Sequence, residues 1–313
     1  MSELAPIALF VYNRPWHVRQ TVDALKKNKL AGASDLFIYS DGPKNPGDRE
    51  NIQAVRDYLQ TISGFKTVKI VRQKTNIGLA DSIISGVTEV INKYGKIIVL
   101  EDDLLTAVDF LRFMNEALEY YSKKNRVMQI SGHMFNLVIK VKTDGVFLPF
   151  INSYGWGTWQ RAWDSLDSKM SGYEIVKENK DLRKKFNLEG AYNFFDMLEA
   201  QLKGKIDSWA IRWYLSVFLV EGLVLYPKQS LIKHIGFDSS ATHCKGSGTG
   251  GYSVSLGALP NIPLKFPAVF LDKRSYMQII QYLNSRRSIM TKVKSLCSRL
   301  FRMLFFTTKC DSQ

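Results

Sequence analysis

Residues 96–103 read KIIVLEDD. Lys96–Leu100 is a short, nearly all-apolar run, the pattern of a strand buried on both faces. It leads directly into three adjacent carboxylates, Glu101, Asp102 and Asp103. Three such groups repel one another, so folding alone does not favour them. A hard divalent cation, Mn2+ or Mg2+, held by one or two carboxylates and by phosphate oxygens would relieve that repulsion. The other reading makes Asp102 or Asp103 the cap of a helix beginning near Thr106.

Three strand–helix pairs precede this turn. Pro6–Tyr12 (PIALFVY) is apolar and stops at Asn13-Arg14-Pro15. Pro15 suits a first helical turn, and Val18, Thr21, Val22 and Leu25 follow at helical spacing within His17–Lys27. Asp35–Ser40 (DLFIYS) ends at Asp41-Gly42-Pro43, and a helix over Arg49–Ser63 carries Ile52, Val55, Tyr58 and Leu59 on one face. Thr67–Arg72 is the third strand. The turn Asn76-Ile77-Gly78-Leu79 and a helix over Asp81–Tyr94 complete the series. This alternation predicts an α/β fold with a mostly parallel sheet flanked by helices. Ligands of such sheets bind beyond the carboxyl ends of the strands. Asn13-Arg14, Asp41, Asn76 and the acidic triplet all fall there.

The second half is less regular. Phe110–Tyr121 reads as a helix, and Val127–Ser131 and Gly145–Phe150 as strands. Ser153–Trp163 (SYGWGTWQRAW) reads as a Gly- and Trp-rich loop entering a helix. Asp181–Leu202 and Ser208–Val220 read as helices, and Gly222–Tyr226 as a strand. Gly246–Gly257 (GSGTGGYSVSLG) reads as a loop or linker.

Of 313 residues, 45% are hydrophobic, enough for a full core, and the formal net charge is +14. Nine of the 43 basic residues lie between Lys273 and Lys309, where there is no Asp or Glu. The excess charge is thus a property of the tail, which argues against a nucleic-acid-binding fold. Within the tail Ile289, Val293, Leu296, Leu300 and Leu304 recur at helical spacing among Arg and Lys. That pattern is a C-terminal amphipathic helix suited to an anionic membrane face, or to packing on its own domain or a partner subunit. The three cysteines are scattered, as in a reducing compartment. Met1–Pro6 does not read as a signal peptide, and no apolar run is long enough to span a bilayer.

Leu100–Phe113 (LEDDLLTAVDFLRF) resembles the metal-binding signature of inverting GT-A glycosyltransferases, in particular N-acetylglucosaminyltransferase I and related bacterial surface-polysaccharide enzymes. Tyr12-Asn13-Arg14 is similar to that family's first strand end and phosphate-facing turn, and Ser40-Asp41-Gly42 to its base-reading Asp. Ser153–Trp159 is similar to its acceptor-side loop, and Ile206-Asp207-Ser208-Trp209 to the segment carrying its catalytic base. The resemblance covers roughly residues 6–245. It implies a GT-A (Rossmann-like) fold, with a nucleotide-sugar-binding half (1–105) and an acceptor and catalytic half (106–270); the basic tail (271–313) is read separately, from the charge and helical spacing above. It implies Asp103 as metal ligand, and Glu101 and Asp102 at the ribose or ordering the turn. Arg14 with Asn13 would face the diphosphate, Asp41 the base, and Asp207 would be the general base.

The implied donor is a nucleoside diphosphate sugar, UDP-linked. The implied acceptor is a glycan or lipid-linked molecule at the cytoplasmic face of a bacterial inner membrane. Several positions keep a second reading. Asp207 also fits a plain helix N-cap, with Asp164 or Asp238 as the base instead. Tyr154, Trp156, Trp159, Trp163 and Trp209 either stack on an acceptor sugar or anchor the core; Trp156, flanked by glycines, favours the site. Asn76 touches base or ribose, or only turns the chain. His243 presents an imidazole to metal or diphosphate, or is a surface residue. His234 is a lesser candidate, His133 lines the acceptor cleft or is structural, and His17 reads as helix surface. A sugar-nucleotide nucleotidyltransferase and a noncatalytic membrane-bound glycan-binding module are the rival functions. The first should carry a Gly-rich phosphate loop, and Asn13-Arg14-Pro15-Trp16 has no glycine.

Overall fold

The computed structural model describes residues 3–236, 255–260 and 262–286. In chain order its elements are β1 (Ile7–Val11), α1 (Pro15–Lys26), β2 (Asp35–Ser40), α2 (Arg49–Leu59), β3 (Thr67–Arg72), α3 (Leu79–Tyr94), β4 (Lys96–Glu101), β5 (Leu104–Thr106) and α4 (Phe110–Tyr120). Then follow β6 (Val127–Ser131), β7 (Gly145–Leu148), β8 (Trp156–Trp159), α5 (Gln160–Trp163), α6 (Tyr173–Glu178), α7 (Lys180–Phe186), α8 (Phe194–Leu202), α9 (Trp209–Leu219), β9 (Leu223–Pro227) and β10 (Ile232–His234). A helix over residues 273–286, α10, closes the described chain.

The described residues form a mixed eight-stranded sheet, ordered β3-β2-β1-β4-β8-β6-β9-β7. The first four strands are parallel, β6 and β9 run with them, and β8 and β7 run against them. Every residue of β1 is buried, as expected of a strand covered by helices on both faces. Each Ile or Leu so placed contributes about 1.5–3 kcal/mol. Register aligns the strand ends: Val11 pairs with Ser40, and Phe10 with Glu101. Tyr12–Arg14, Asp41 and the acidic triplet therefore emerge on one edge, as the alternation predicts.

Three readings are corrected. Ser153–Trp163 is not simply a loop entering a helix, since β8 lies inside it and fills the sheet between β4 and β6. Gly157 lets it fit, because a Cβ there would stand 2.9 Å from the Ile97 carbonyl oxygen. Asp181–Leu202 is not one helix. It breaks at Leu188, Glu189 and Gly190, whose φ values are 50°, 55° and 86°. The helix after the acidic turn does not start near Thr106. β5 intervenes and pairs antiparallel with β10, so neither Asp102 nor Asp103 caps α4.

A second apolar cluster lies beyond β7 and β9. There α10 buries Ile279, Ile280 and Leu283, and its Tyr276 and Tyr282 pack against Phe150 and Phe135. The start of the basic tail is thus part of the folded body. The amphipathic pattern from Ile289 to Leu304 lies outside the described residues. Among the described residues no helix is long and apolar enough to cross a membrane.

Candidate active site

The site grows from the end of β4. Asp103 Oδ2 lies 2.9 Å from Arg14 Nη1, delivered by the turn between β1 and α1. The other arm of Arg14 donates to His17 Nε2 at 2.8 Å. His17 is therefore buried, not helix surface as expected. Asp102 accepts from the Tyr12 amide at 3.3 Å, and its own carbonyl accepts from the Thr21 hydroxyl. Glu101 accepts the indole N–H of Trp209, which links the turn to the start of α9.

Burial, followed by repulsion from Asp103 and Asp102, pushes the Glu101 carboxyl up to about 8, against the opposing effect of Trp209. Burial and then Asp103 push Asp102 upward too, with Arg14 opposing. Arg14 thus offsets only part of the burial and mutual repulsion that disfavour the charged forms of these carboxyls.

β10 delivers His234 to the same place. Its pairing with β5 is extended by the Ile235 amide, which donates to the Asp103 carbonyl at 2.9 Å. His234 Nε2 then lies 3.5 Å from Asp103 Oδ2. The ring of Tyr154, just ahead of β8, packs on His234 with centroids 4.8 Å apart, and on His133 at 5.4 Å. Gly236 sits directly on the Arg14–Asp103 pair, where a Cβ would run into Asp103 Oδ2.

Asp41 organises a second part of the rim. Its carboxylate accepts from the amides of Gly42, Ile77 and Gly78 and from the Asn76 side chain, at 2.8–3.1 Å. Three of these bonds fasten its loop to the turn before α3, and the fourth, from Gly42, closes the loop on itself. Asn13 and Tyr12 are held from outside by Asp48, at 3.0 and 2.8 Å. Asp48 did not stand out in the sequence; the capping position it occupies before α2 was its one signal.

Asp207 reaches this rim as well. Its Oδ2 lies 3.1 Å from where a Cβ of Gly78 would stand, and its Oδ1 takes a 3.1 Å hydrogen bond from Arg212. Ser208, not Asp207, caps α9, accepting from the Ile211 amide. The plain N-cap reading of Asp207 therefore does not hold. Asp164 follows the end of β8, which runs against β4 and pairs Trp159 with Lys96. That places Asp164 at the opposite edge of the sheet.

No protein-family model and no curated protein matches the chain. Among solved structures it is similar to residues 1–349 of S. aureus TarS, with 8% identity and a TM-score of 0.41 over 74% of this chain and 61% of that one. It is also similar to the mannosyltransferase PcManGT from Pyrobaculum calidifontis, solved with GDP-Man and Mn2+, with 10% identity and a TM-score of 0.37 over 70% of this chain and 74% of that one. The longer S. aureus TarS structure gives 10% identity and a TM-score of 0.36, and the match spans 37% of its length. Superposition at this level carries no assignment of function, which must come from the residues above.

The aromatic side chains divide. Tyr154 is half-buried beside His234. Trp156 is wholly buried, stacked on Trp209 at 4.9 Å and packed near Trp163. Trp209 is 3% exposed. Neither indole face is open to an acceptor sugar, contrary to the expectation. The glycine beside Trp156 opens no space, because a Cβ on Gly155 would meet Ile232 at 2.6 Å. Trp159 and Trp163 donate to Leu118 and Thr88 and anchor the core. His243 and Asp238 lie outside the described residues.

A divalent cation fits this turn in charge and in donor type. Asp103, with the His234 imidazole beside it, would hold the ion. Among the described residues no group of three or more His, Cys, Asp or Glu side chains is arranged to hold a metal. Phosphate oxygens and water would have to complete its shell, as is usual for Mg2+ at phosphate-bearing substrates.

Proposed function

We propose that this chain is a metal-dependent inverting glycosyltransferase of the GT-A type. Its donor is a nucleoside diphosphate sugar, UDP-linked, and its acceptor a glycan or lipid-linked molecule of bacterial surface polysaccharide. The observation that carries this reading is the meeting of three groups at one sheet edge: the Asp103 turn, the Arg14 guanidinium and the half-exposed Asp207 carboxylate. A diphosphate needs a cationic fork and a cation-binding carboxylate. Transfer to a hydroxyl needs a base on the other side of the sugar.

In this reading Asn13 and Arg14 bind the diphosphate. Asp41 sets the turn whose Asn76 and backbone border the nucleoside. Glu101 and Asp102 fix the turn and border the ribose. Asp103 and His234 hold Mn2+ or Mg2+, which when bound neutralises charge growing on the departing diphosphate. Asp207 takes the proton of the acceptor hydroxyl as its oxygen attacks the anomeric carbon. The bond to the diphosphate breaks with its electron pair on that group, so the anomeric configuration inverts. Tyr154 borders the acceptor. Work at the cytoplasmic face of the inner membrane, with the basic tail on anionic lipid, accords with the tail composition and a lipid-linked acceptor.

A thermal-shift screen of UDP-, GDP- and dTDP-sugars, with and without Mn2+, tests the reading, since a ligand bound only by the folded state raises stability. The expected result is a metal-dependent rise for one nucleotide class. It should be absent in Asp103→Ala, and turnover of that donor should be lost with the fold intact. No rise with any donor, or equal turnover by Asp103→Ala, refutes the assignment.

A further inference from the structure

Arg212 lies one turn into α9, 15% exposed at its side chain, and its Nη2 donates to Asp207 Oδ1 at 3.1 Å. Its Nε is buried and has no hydrogen-bond partner among the described residues. Such a guanidinium is a poor device for stability. Drawing a cation out of water costs several kcal/mol, and one half-exposed carboxylate repays little of it, so an apolar side chain would serve α9 better. What the arrangement does secure is the carboxylate.

Asp207 is 48% exposed and precedes the helix cap, so little else restrains its rotamer. Arg212 grips Oδ1 while Oδ2 lies against Gly78. Gly78 is itself fixed, because its amide donates to Asp41 at 3.1 Å and its φ is +83°. The carboxylate is therefore clamped between α9 and the turn that Asp41 organises.

We propose that Arg212 is a positioning residue, which with Gly78 holds the Asp207 carboxylate in the orientation from which it takes the acceptor proton. This rests on the reading of Asp207 as the base. Arg212 itself need not touch either substrate.

The test uses the full chain with Mn2+ and UDP-N-acetylglucosamine, UDP-glucose and GDP-mannose, following donor hydrolysis with water as acceptor. Arg212→Ala should lower kcat by about tenfold to a hundredfold, the range expected when a reacting group is misplaced by about 1 Å, with KM for the donor little changed. Added guanidinium ion at millimolar level should restore part of that loss, and Arg212→Lys should fall between. Arg212→Met, which fills the same volume, keeps the test valid if the alanine variant folds poorly. An unchanged kcat, or a loss that guanidinium does not relieve and that tracks a lowered Tm, overturns the proposal. The underlying reading fails separately: no metal-dependent stabilisation by any UDP-, GDP- or dTDP-sugar defeats the transferase assignment, and full turnover by Asp207→Asn defeats the base.

Discussion

Arg14 and Asp103 meet at 2.9 Å across 89 residues of sequence. The pair joins the end of β1 to the end of β4, which are neighbours in the sheet, and Gly236 closes over it. Two further carboxyls stand next to Asp103 in the chain, and Arg14 opposes the upward shift that burial and Asp103 impose on Asp102.

Removing Arg14 should therefore be costly. Breaking a buried pair from one side leaves a charge uncompensated, and Arg14→Ala is expected to lower unfolding free energy by about 3 kcal/mol. Adding Asp103→Ala to the same chain should cost clearly less than the sum of the two single changes. Urea melts of the two single variants and the double variant check this. Additive losses would mean that the pair is not coupled.

Asp41 carries four hydrogen bonds within its own rim. Asp41→Ala strands three backbone amides and leaves the Asn76 amide only the Gly42 carbonyl. The expected loss is about 3 kcal/mol, whereas Asn76→Ala, which removes one contact set, should cost about 1 kcal/mol. Hydrogen exchange at the Ile77 and Gly78 amides should accelerate in the first variant. If Asp41→Ala is as stable as the wild type and loses only nucleotide affinity, its carboxylate serves the base instead of the loop.

Legibility followed the range of the interactions. β1 to β4 could be read within a residue or so, because β1, β2 and β4 are local apolar runs closed by Asn-Arg-Pro, Asp-Gly-Pro and the acidic triplet, and β3 completes the strand–helix alternation. β8 could not. Trp156-Gly157-Thr158-Trp159 has neither length nor alternation, and it is a strand because β4 and β6 pair with it on both sides. His234 is a lesser candidate in the sequence for the same reason, since a three-residue pairing between β5 and β10 brings it to Asp103. His17 reads as helix surface in the sequence, but Arg14 folds back onto it. The clustering of Asn13, Arg14, Asp41 and the triplet was visible because parallel strands deliver their carboxyl ends to one edge. The inward turn of Trp156 was not, because flanking glycines signal open space and close packing equally well.

His133 makes stability pH-dependent. It is 3% exposed. Burial, and next the neighbouring His234, pull its imidazole from the ordinary 6.5 down to about 3. The sign follows from proton uptake. Below pH 6.5 the unfolded chain binds a proton at this site and the folded chain does not, so stability falls as pH falls, by about 1.4 kcal/mol per pH unit. Between pH 6.5 and 5 the wild type should lose about 2 kcal/mol more than His133→Asn. Chemical denaturation of both proteins across that range checks this, and parallel curves would mean that the folded protein protonates His133 normally.

Asp207 and Ser208 are adjacent, yet they should fail in opposite ways. Asp207 is half-exposed and holds no backbone amide of α9, so its loss should leave the helix intact. Ser208 accepts from the Ile211 amide and caps the helix, so Ser208→Ala should lower stability by about 1 kcal/mol. Asp207→Asn keeps the volume and a contact to Arg212 while removing the basic oxygen. Its donor turnover should fall by about 10²- to 10⁴-fold, the contribution of a positioned general base. Ser208→Ala should turn over almost normally at temperatures where it is folded. Thermal melts and steady-state kinetics on the same two variants separate the roles. Near-normal turnover by Asp207→Asn would remove the base from this position, and the half-exposed carboxylate would then be no more than the counter-charge of Arg212.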